Sequence, residues 1–176
     1  MFITKEQLQQ YTNVLPDDTD TMQNVYCSAA CGIVADYLGY SPESTDYTQV
    51  FDGTGNKRLQ LAALPVTEIK SVKADGKAED VTAFTAQDRY LFRTDGGVFP
   101  SGERNIVVCY TAGWENVPGI IIMTALRIAG LLQTESGNNI GITSKTFGDD
   151  GGRTFYKTKF DDYLAPLEKY RIYGAV

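Results

Sequence analysis

The spacing of apolar residues changes along the chain, and a helical spacing dominates its first part. From Met22 to Leu38, apolar side chains recur every three or four positions, which is typical of one face of an α-helix. We expect this helix to begin near Thr19 or Asp20 and to end at Gly39, because glycine readily adopts the left-handed conformation that ends helices. The pattern assigns to its inner face Met22, Val25, Tyr26, Ala29, Ala30, Ile33, Val34, Tyr37 and Leu38.

Three further helices are predicted outside this segment. Thr4 and Gln7 match the capping box, so a short helix is expected to follow to about residue 12. Pro118 suits the first turn of a long helix that is apolar on almost every side, and such a helix must be buried in a core or between subunits. The last helix is expected over residues 159–170, where Pro166 should delay or bend it.

Between residues 47 and 111 the apolar spacing changes to two, which is typical of β-strands. Asp-Gly pairs beginning at residues 52, 75 and 95 separate the short runs and favour tight turns. Because no helical segment comes between them, these strands are expected to form a small antiparallel sandwich or barrel. The predicted strands cover residues 47–51, 57–61, 69–74, 81–84, 90–93 and 105–111.

Together these elements predict an α+β fold. About four helices form a helical core from residues 1–46 and 112–176, and an antiparallel sandwich-like or barrel-like region is inserted at residues 47–111. Residues 136–156 are rich in Gly, Asn, Ser, Thr and Asp, which predicts a long extended arm.

Apolar side chains interrupt the polar arm, although a free loop has no reason to expose them. We expect the arm to bind a partner, with Ile142 and Phe147 as anchors and Arg153 paired with an acidic group. An arm folded back on its own domain is the alternative. Trp114, the only tryptophan, follows the last strand and is interpreted as a packing or interface anchor. The candidate arm residues are Ile140, Ile142, Thr143, Ser144, Lys145, Phe147, Arg153 and Phe155.

The charge of the chain argues against a general affinity for nucleic acid. Its 176 residues carry a net charge of −6, and the first 52 residues hold one basic and eight acidic side chains. Phosphate binding instead depends on clustered Lys and Arg. The first residues lack the pattern of a signal peptide, and no stretch is apolar enough for a membrane span, so we expect synthesis in the cytoplasm.

The absence of histidine excludes many catalytic and metal-binding schemes. Ser-His-Asp triads, Cys-His dyads and imidazole ligands all require that residue. Cys27 and Cys31 stand one helical turn apart, but with Cys109 they supply too few ligands for a metal, so they are interpreted as small core residues. We therefore expect no cofactor, no metal and no enzymatic activity.

The order of the sequence motifs carries more information than any one of them. The chain contains YLGY at 37–40, FDGTG at 51–55, LPVTEI at 64–69, NIVVCYTAGW at 105–114 and VP at 117–118 before the apolar helix. IGITS at 140–144, a Gly148-Asp149 turn and a terminal helix follow. This order resembles the head-tail connector, or adaptor, family of long-tailed bacteriophages, of which only some members have a long β insertion.

The resemblance implies a structural subunit of the phage neck. Such proteins form a ring, commonly of twelve copies, which docks on the portal and is continued by a stopper or tail-completion protein. The implied partners are therefore other copies of the chain, the portal and the stopper. DNA is implied only as cargo that passes through the lumen, and no membrane is involved. The implied location is the virion neck, after assembly in the host cytoplasm.

Two other functions remain open at this point. The β region could be a carbohydrate-binding or surface-binding module of a virion, which would require aromatic side chains exposed on one sheet face. The Asp149-Asp150 loop could bind a metal in a small hydrolase, although it lacks the alternating oxygen ligands of a calcium loop.

Overall fold

The computed structural model describes residues 1–13, 20–136, 144–146, 152–154 and 160–172, and its fold is α+β as predicted. The chain divides into two compact units. Residues 1–37 and 118–171 belong to the first, which we call the helical unit. Residues 38–117, together with Ile172, belong to the second, which we call the β unit.

Helix α1 (Lys5–Thr12) begins at the predicted capping box. The Gln7 N–H donates to Thr4 Oγ1 at 3.3 Å, and the Thr4 N–H donates to Gln7 Oε1 at 2.9 Å, so each side chain satisfies a backbone donor of the first turn. Gln9 Nε2 donates to Gln23 Oε1 at 2.6 Å. This bond joins α1 to helix α2 (Asp20–Leu38).

The buried face of α2 matches the predicted one only in part. Met22, Val25 and Ala29 are exposed, whereas the buried positions are Gln23, Cys27, Ala30, Cys31, Val34 and Leu38. The prediction was correct for Ala30, Val34 and Leu38 and wrong for the three exposed residues, because apolar residues surround most of this helix and the spacing fits more than one face. Cys27 and Cys31 are core residues as expected, and burial raises the pKa of the Cys27 thiol to about 11.

Helix α3 (Gly119–Ser136) packs against α1 and against the short helix α4 (Phe160–Leu164). Its inner face is apolar and fully buried at Ile121, Ala125 and Ile128. No helix in the described part of the chain combines the length and apolarity that a membrane crossing requires.

The predicted last helix is split in two. α4 ends at Leu164, and a 3₁₀ helix covers Ala165–Tyr170. Pro166 explains the change, because it lacks a backbone N–H and its ring clashes with the preceding helical turn. The 3₁₀ segment is tied to α2, since the Tyr37 hydroxyl donates to the carboxylate of Glu168.

The larger sheet of the β unit has four antiparallel strands in the order β1-β7-β3-β4. Their bounds are Thr45–Gly53 for β1, Gly102–Ala112 for β7, Val66–Ala74 for β3 and Lys77–Glu79 for β4. Asp75 and Gly76 form the predicted turn between β3 and β4, both at positive φ. Alternate residues of the central strand β7 are buried, namely Ile106, Val108, Tyr110 and Ala112.

The smaller sheet has three antiparallel strands in the order β2-β6-β5. These are β2 (Arg58–Gln60), β6 (Tyr90–Arg93) and β5 (Phe84–Gln87). Residues 81–84 were predicted to be a strand, but Val81–Ala83 form a 3₁₀ turn instead. The Asp80 carboxylate accepts the N–H of Thr82 at 3.0 Å and caps this turn, which diverts the backbone from an extended path.

A fully buried tyrosine connects the larger sheet to the segment between β2 and β3. The Tyr110 hydroxyl accepts the N–H of Ala62 at 3.2 Å and donates to Gln49 Oε1 at 3.1 Å. The ring of Tyr47 stacks on Tyr110 with 5.5 Å between centroids. Because a buried hydroxyl without partners is costly, these bonds fix where the segment crosses the sheet.

Candidate assembly surfaces

The structure describes only part of the predicted arm. Strands β8 (Ser144–Thr146) and β9 (Gly152–Thr154) pair antiparallel, with Ser144 opposite Thr154 and Lys145 opposite Arg153. The arm therefore contains a short two-stranded ladder. Outside the described residues lie the other candidate positions, Ile140, Ile142, Thr143, Phe147 and Phe155, and also Asp149 and Asp150 of the possible metal loop.

Trp114 makes its described contacts inside the β unit. Its ring lies 5.9 Å from that of Tyr40, tilted by 41°. The backbone N–H of Trp114 donates to the Pro42 carbonyl at 2.9 Å, and the backbone carbonyl of Trp114 accepts the N–H of Ser44 at 3.2 Å. The tryptophan thus fastens the start of the unit to the exit of β7. Its role at an interface stays a prediction.

The glycine before Trp114 is required by the same contact. Gly113 has φ +107°, and a Cβ at this position would lie 2.2 Å from the Glu43 carbonyl oxygen. Gly53, at the other end of the paired strands, is crowded in the same way, with a Cβ only 1.7 Å from the Pro100 carbonyl oxygen. At each glycine the backbone lies so close to another backbone segment that no side chain fits between them.

A buried cation organises the loop that follows β6. The side chain of Arg93 is only 10% exposed, and its Nη2 contacts Asp95 Oδ2 at 2.6 Å and Glu79 Oε2 at 3.2 Å. Its guanidinium lies over the rings of Phe84 and Phe99, at 5.1 and 5.9 Å from their centroids. The bond from Arg93 lowers the pKa of Asp95 to about 2. Arg93, Asp95 and Glu79 therefore stabilise the fold through the ion pairs that Arg93 forms with both carboxylates.

The outer face of the larger sheet is polar. Lys70 Nζ contacts Asp46 Oδ2 at 2.6 Å, and the Thr111 hydroxyl donates to Asp46 Oδ1 at 2.8 Å. The Lys70 bond is the main reason why the pKa of Asp46 lies below its usual value. In the next row Cys109 Sγ lies 3.5 Å from the Thr48 hydroxyl, which lowers the pKa of this thiol. Exposed pairs of this kind add little stability.

The helical unit contains an open groove of about 470 Å³ between α1, α3 and α4. Its lining combines small residues with two tyrosines and one arginine: Tyr11, Thr12, Arg127, Gly130, Leu131, Thr134 and Tyr163. Nothing in this set forms a nucleophile and base pair. In the described ranges, no three potential ligands among Cys, Asp and Glu come close enough to hold a metal ion.

Large apolar side chains are exposed on both long helices, although the apolar spacing assigned Met22 and Val25 to the inner face. Met22 and Val25 on α2 are 47% and 51% exposed, and Ile120 and Met123 on α3 are 39% and 40% exposed. The signal was available in the sequence, because both helices are apolar over more of their circumference than one core contact needs. Exposed apolar stripes of this kind are typical of surfaces that bind other proteins.

Comparison with known proteins identifies the family. The model of the head completion protein family matches residues 1–155. The chain belongs to this family. No curated protein matches it.

Chains in solved structures of gene transfer agent particles share the fold of this chain. A chain in the neck of an empty gene transfer agent particle, computed with C6 symmetry, has 11% sequence identity and a TM-score of 0.70, with 99% of this chain and 92% of that chain covered. A chain in the neck of the native particle, computed with C12 symmetry, has 11% identity and a TM-score of 0.66, with 97% and 89% covered. A chain in the native virion has 13% identity and a TM-score of 0.68, with 99% and 92% covered.

The family confirms the structural role in a phage-like particle that the sequence predicts, and the likeness to neck chains shows that this chain shares their fold.

Proposed function

We propose that this head completion protein forms a ring that joins the portal of the capsid to a stopper or tail-completion protein. The likeness to a neck chain over 99% of this chain and 92% of that one is the observation that carries the proposal, because it leaves neither protein a large unmatched part. The two likenesses to necks computed with C6 and C12 symmetry support a cyclic assembly. We propose twelve copies, the number implied by the family resemblance and consistent with C12 symmetry.

In this ring DNA is cargo and not a ligand. The net charge of −6 disfavours lasting contacts with phosphates, so an acidic lumen would let the duplex slide past. We also propose that the protein has no catalytic activity and assembles in the host cytoplasm. The two carboxylates with lowered pKa values, Asp46 and Asp95, are held in structural pairs with Lys70 and Arg93 and do not converge on one cleft.

The arm is proposed to contact the neighbouring subunit or the portal. Its ladder places two basic residues, Lys145 and Arg153, at facing positions. Both residues are basic, so we propose that they pair with an acidic group of the partner. The first 52 residues hold eight acidic side chains and one basic one, so we expect the acidic group to come from this part of an adjacent copy. Ile142 and Phe147 remain the proposed apolar anchors.

The ring function is tested by removing the gene from the producing phage and supplying it from a plasmid. Without the plasmid we expect filled or leaking heads without tails, and with it we expect tailed particles that contain about twelve copies per neck, counted by quantitative mass spectrometry. Tailed, infectious particles that assemble without the protein would overturn the proposed function.

The arm is tested by deleting residues 143–148 and, separately, by Lys145→Glu combined with Arg153→Glu. Both variants should melt like the wild-type subunit but fail to enter necks. Lys77→Glu, in the exposed β3–β4 hairpin, is a matched control that should assemble normally. Arm variants that enter necks at the wild-type level would refute the arm proposal and leave the ring proposal standing.

The carbohydrate-binding alternative lacks the feature that it requires. In the β unit, whose residues 38–117 are all described, Tyr and Phe side chains are buried or half-buried, and Trp114 is half-buried against Tyr40. Tyr90 is covered by the guanidinium of Arg58, 4.7 Å from the ring centroid. No sheet face presents a row of exposed rings, so no specific observation favours a sugar-binding surface.

A further inference from the structure

The exposed side of α2 has a line of regularly spaced residues. Met22, Val25, Ala29, Gly32 and Asp36 are all exposed, and they follow one another at intervals of three, four, three and four residues. This is the spacing of a seam along which one helix packs against another. At about 1.5 Å per residue the line is about 21 Å long. We call these five residues the α2 stripe.

Gly32 is the least expected member of the α2 stripe. Glycine is the least favourable residue other than proline in a helix interior, and a Cβ added at Gly32 would have no neighbour within 4 Å. No contact among the described residues therefore requires glycine here. A second helix that crosses this point would require it, because the missing side chain allows a close approach.

Helix α3 has a second line of exposed residues, which contains a basic residue where the α2 stripe contains an acidic one. Ile120, Met123 and Arg127 are exposed at intervals of three and four residues. The α2 stripe ends in an acidic residue, and α2 contains no Lys or Arg at all. The line on α3, which we call the α3 stripe, ends in a basic residue. The two stripes are therefore complementary in charge, and both are mainly apolar.

A ring requires two different contact surfaces on each subunit, and the two stripes can provide them. In a cyclic assembly with more than two copies, each subunit uses two different surfaces, and one surface of each copy binds the other surface of the next copy. We infer that the α2 stripe of one copy packs against the α3 stripe of the adjacent copy. The occupant of each stripe is thus a second copy of this chain, and the inference rests on the proposed ring function.

The inference is tested with variants that change each stripe without affecting the subunit core. In the plasmid-supplied system, Val25→Lys and Met123→Lys should each reduce the number of copies per neck at least tenfold. Val98→Lys is the matched control, because Val98 is exposed to nearly the same extent, 49% against 51% for Val25, but lies in a loop of the β unit. This control should assemble at the wild-type level.

Gly32→Leu separates assembly from folding. Leucine favours the helix more than glycine and has open space at this position, so the free subunit should melt at the same temperature as wild type or higher. Its bulk on the α2 stripe should nevertheless prevent entry into necks. A variant that fails to assemble here cannot be dismissed as misfolded.

Three outcomes would overturn the inference. Necks that contain Gly32→Leu or Val25→Lys subunits at the wild-type number would show that the α2 stripe is not a contact. A lower melting temperature for either free subunit would show that the stripe is covered within its own chain. Normal assembly of Met123→Lys would remove the α3 stripe as its partner. In each case tails that depend on the wild-type protein would leave the proposed function intact, whereas tails that form without it would refute that function itself.

Discussion

The helical unit and the β unit differ in how completely each buries its large apolar side chains. In the described part of the chain eight such side chains are exposed, and only Val50 and Val98 belong to the β unit. The six in the helical unit are Met1, Tyr11, Met22, Val25, Ile120 and Met123. The β unit also has backbone segments in contact at Gly53 and Gly113. Among the described residues the β unit thus leaves fewer large apolar side chains exposed, and the proposed contacts between copies would cover those of the helical unit.

The largest expected effect separates the inner and outer faces of α3. Leu126 is 7% exposed, so Leu126→Asp buries an unpaired charge and should cost several kcal/mol, on the order of most of the stability of a small domain. Met123→Asp, three residues earlier and 40% exposed, should change the stability of the free subunit by about 0.5 kcal/mol or less. Urea denaturation of both variants checks this. An unchanged midpoint for Leu126→Asp would contradict its position in the core.

The next effect tests how tightly the backbone is packed around Gly113 in the β unit. Gly113→Ala combines a positive φ with a Cβ 2.2 Å from the Glu43 carbonyl oxygen, so it should destabilise by about 3 kcal/mol or more. Gly76→Ala also meets a positive φ, but nothing lies within 4 Å of the new Cβ, and about 1–2 kcal/mol is expected. The difference between the two variants, measured by denaturation, isolates the crowding. Equal losses would mean that the β unit can relax at this point.

A smaller effect is expected at the start of the helical unit. Thr4→Ala removes the hydroxyl that accepts the Gln7 N–H and should cost about 1 kcal/mol. Thr4→Ser keeps the hydroxyl and should retain most of the stability. Thermal melting of the pair measures the difference. If both variants lose the same stability, the methyl group of Thr4 and not its hydrogen bond would be the important part.

The smallest effect concerns the pH dependence of the β unit. Asp95 has a folded pKa of about 2, below its ordinary value near 4, because it is bonded to Arg93. Its contribution to stability is therefore fully present above about pH 4 and is lost as the pH falls toward 2. Asp95→Asn should flatten the stability curve between these values. Asp88→Asn removes the same charge and should keep the slope, and two identical curves would exclude the Arg93 bond as the cause.

The sequence determined those features that depend on neighbouring residues. The capping box at Thr4, the helix end at Gly39, the turn at Asp75-Gly76 and an irregularity of the last helix at Pro166 were predicted from local patterns. Each follows from a few adjacent backbone groups, whose hydrogen bonds and allowed angles do not require the rest of the chain. The α+β class followed from the change of apolar spacing.

The tertiary structure decided which of several locally acceptable arrangements was adopted. Apolar residues surround most of α2, so only packing placed Gln23 in the core and left Met22 and Val25 exposed. The strand order β1-β7-β3-β4 and the division into two sheets depend on pairings between residues that are distant in sequence. In each case the deciding free energy comes from contacts with distant segments, to which the spacing of residues along the chain is insensitive.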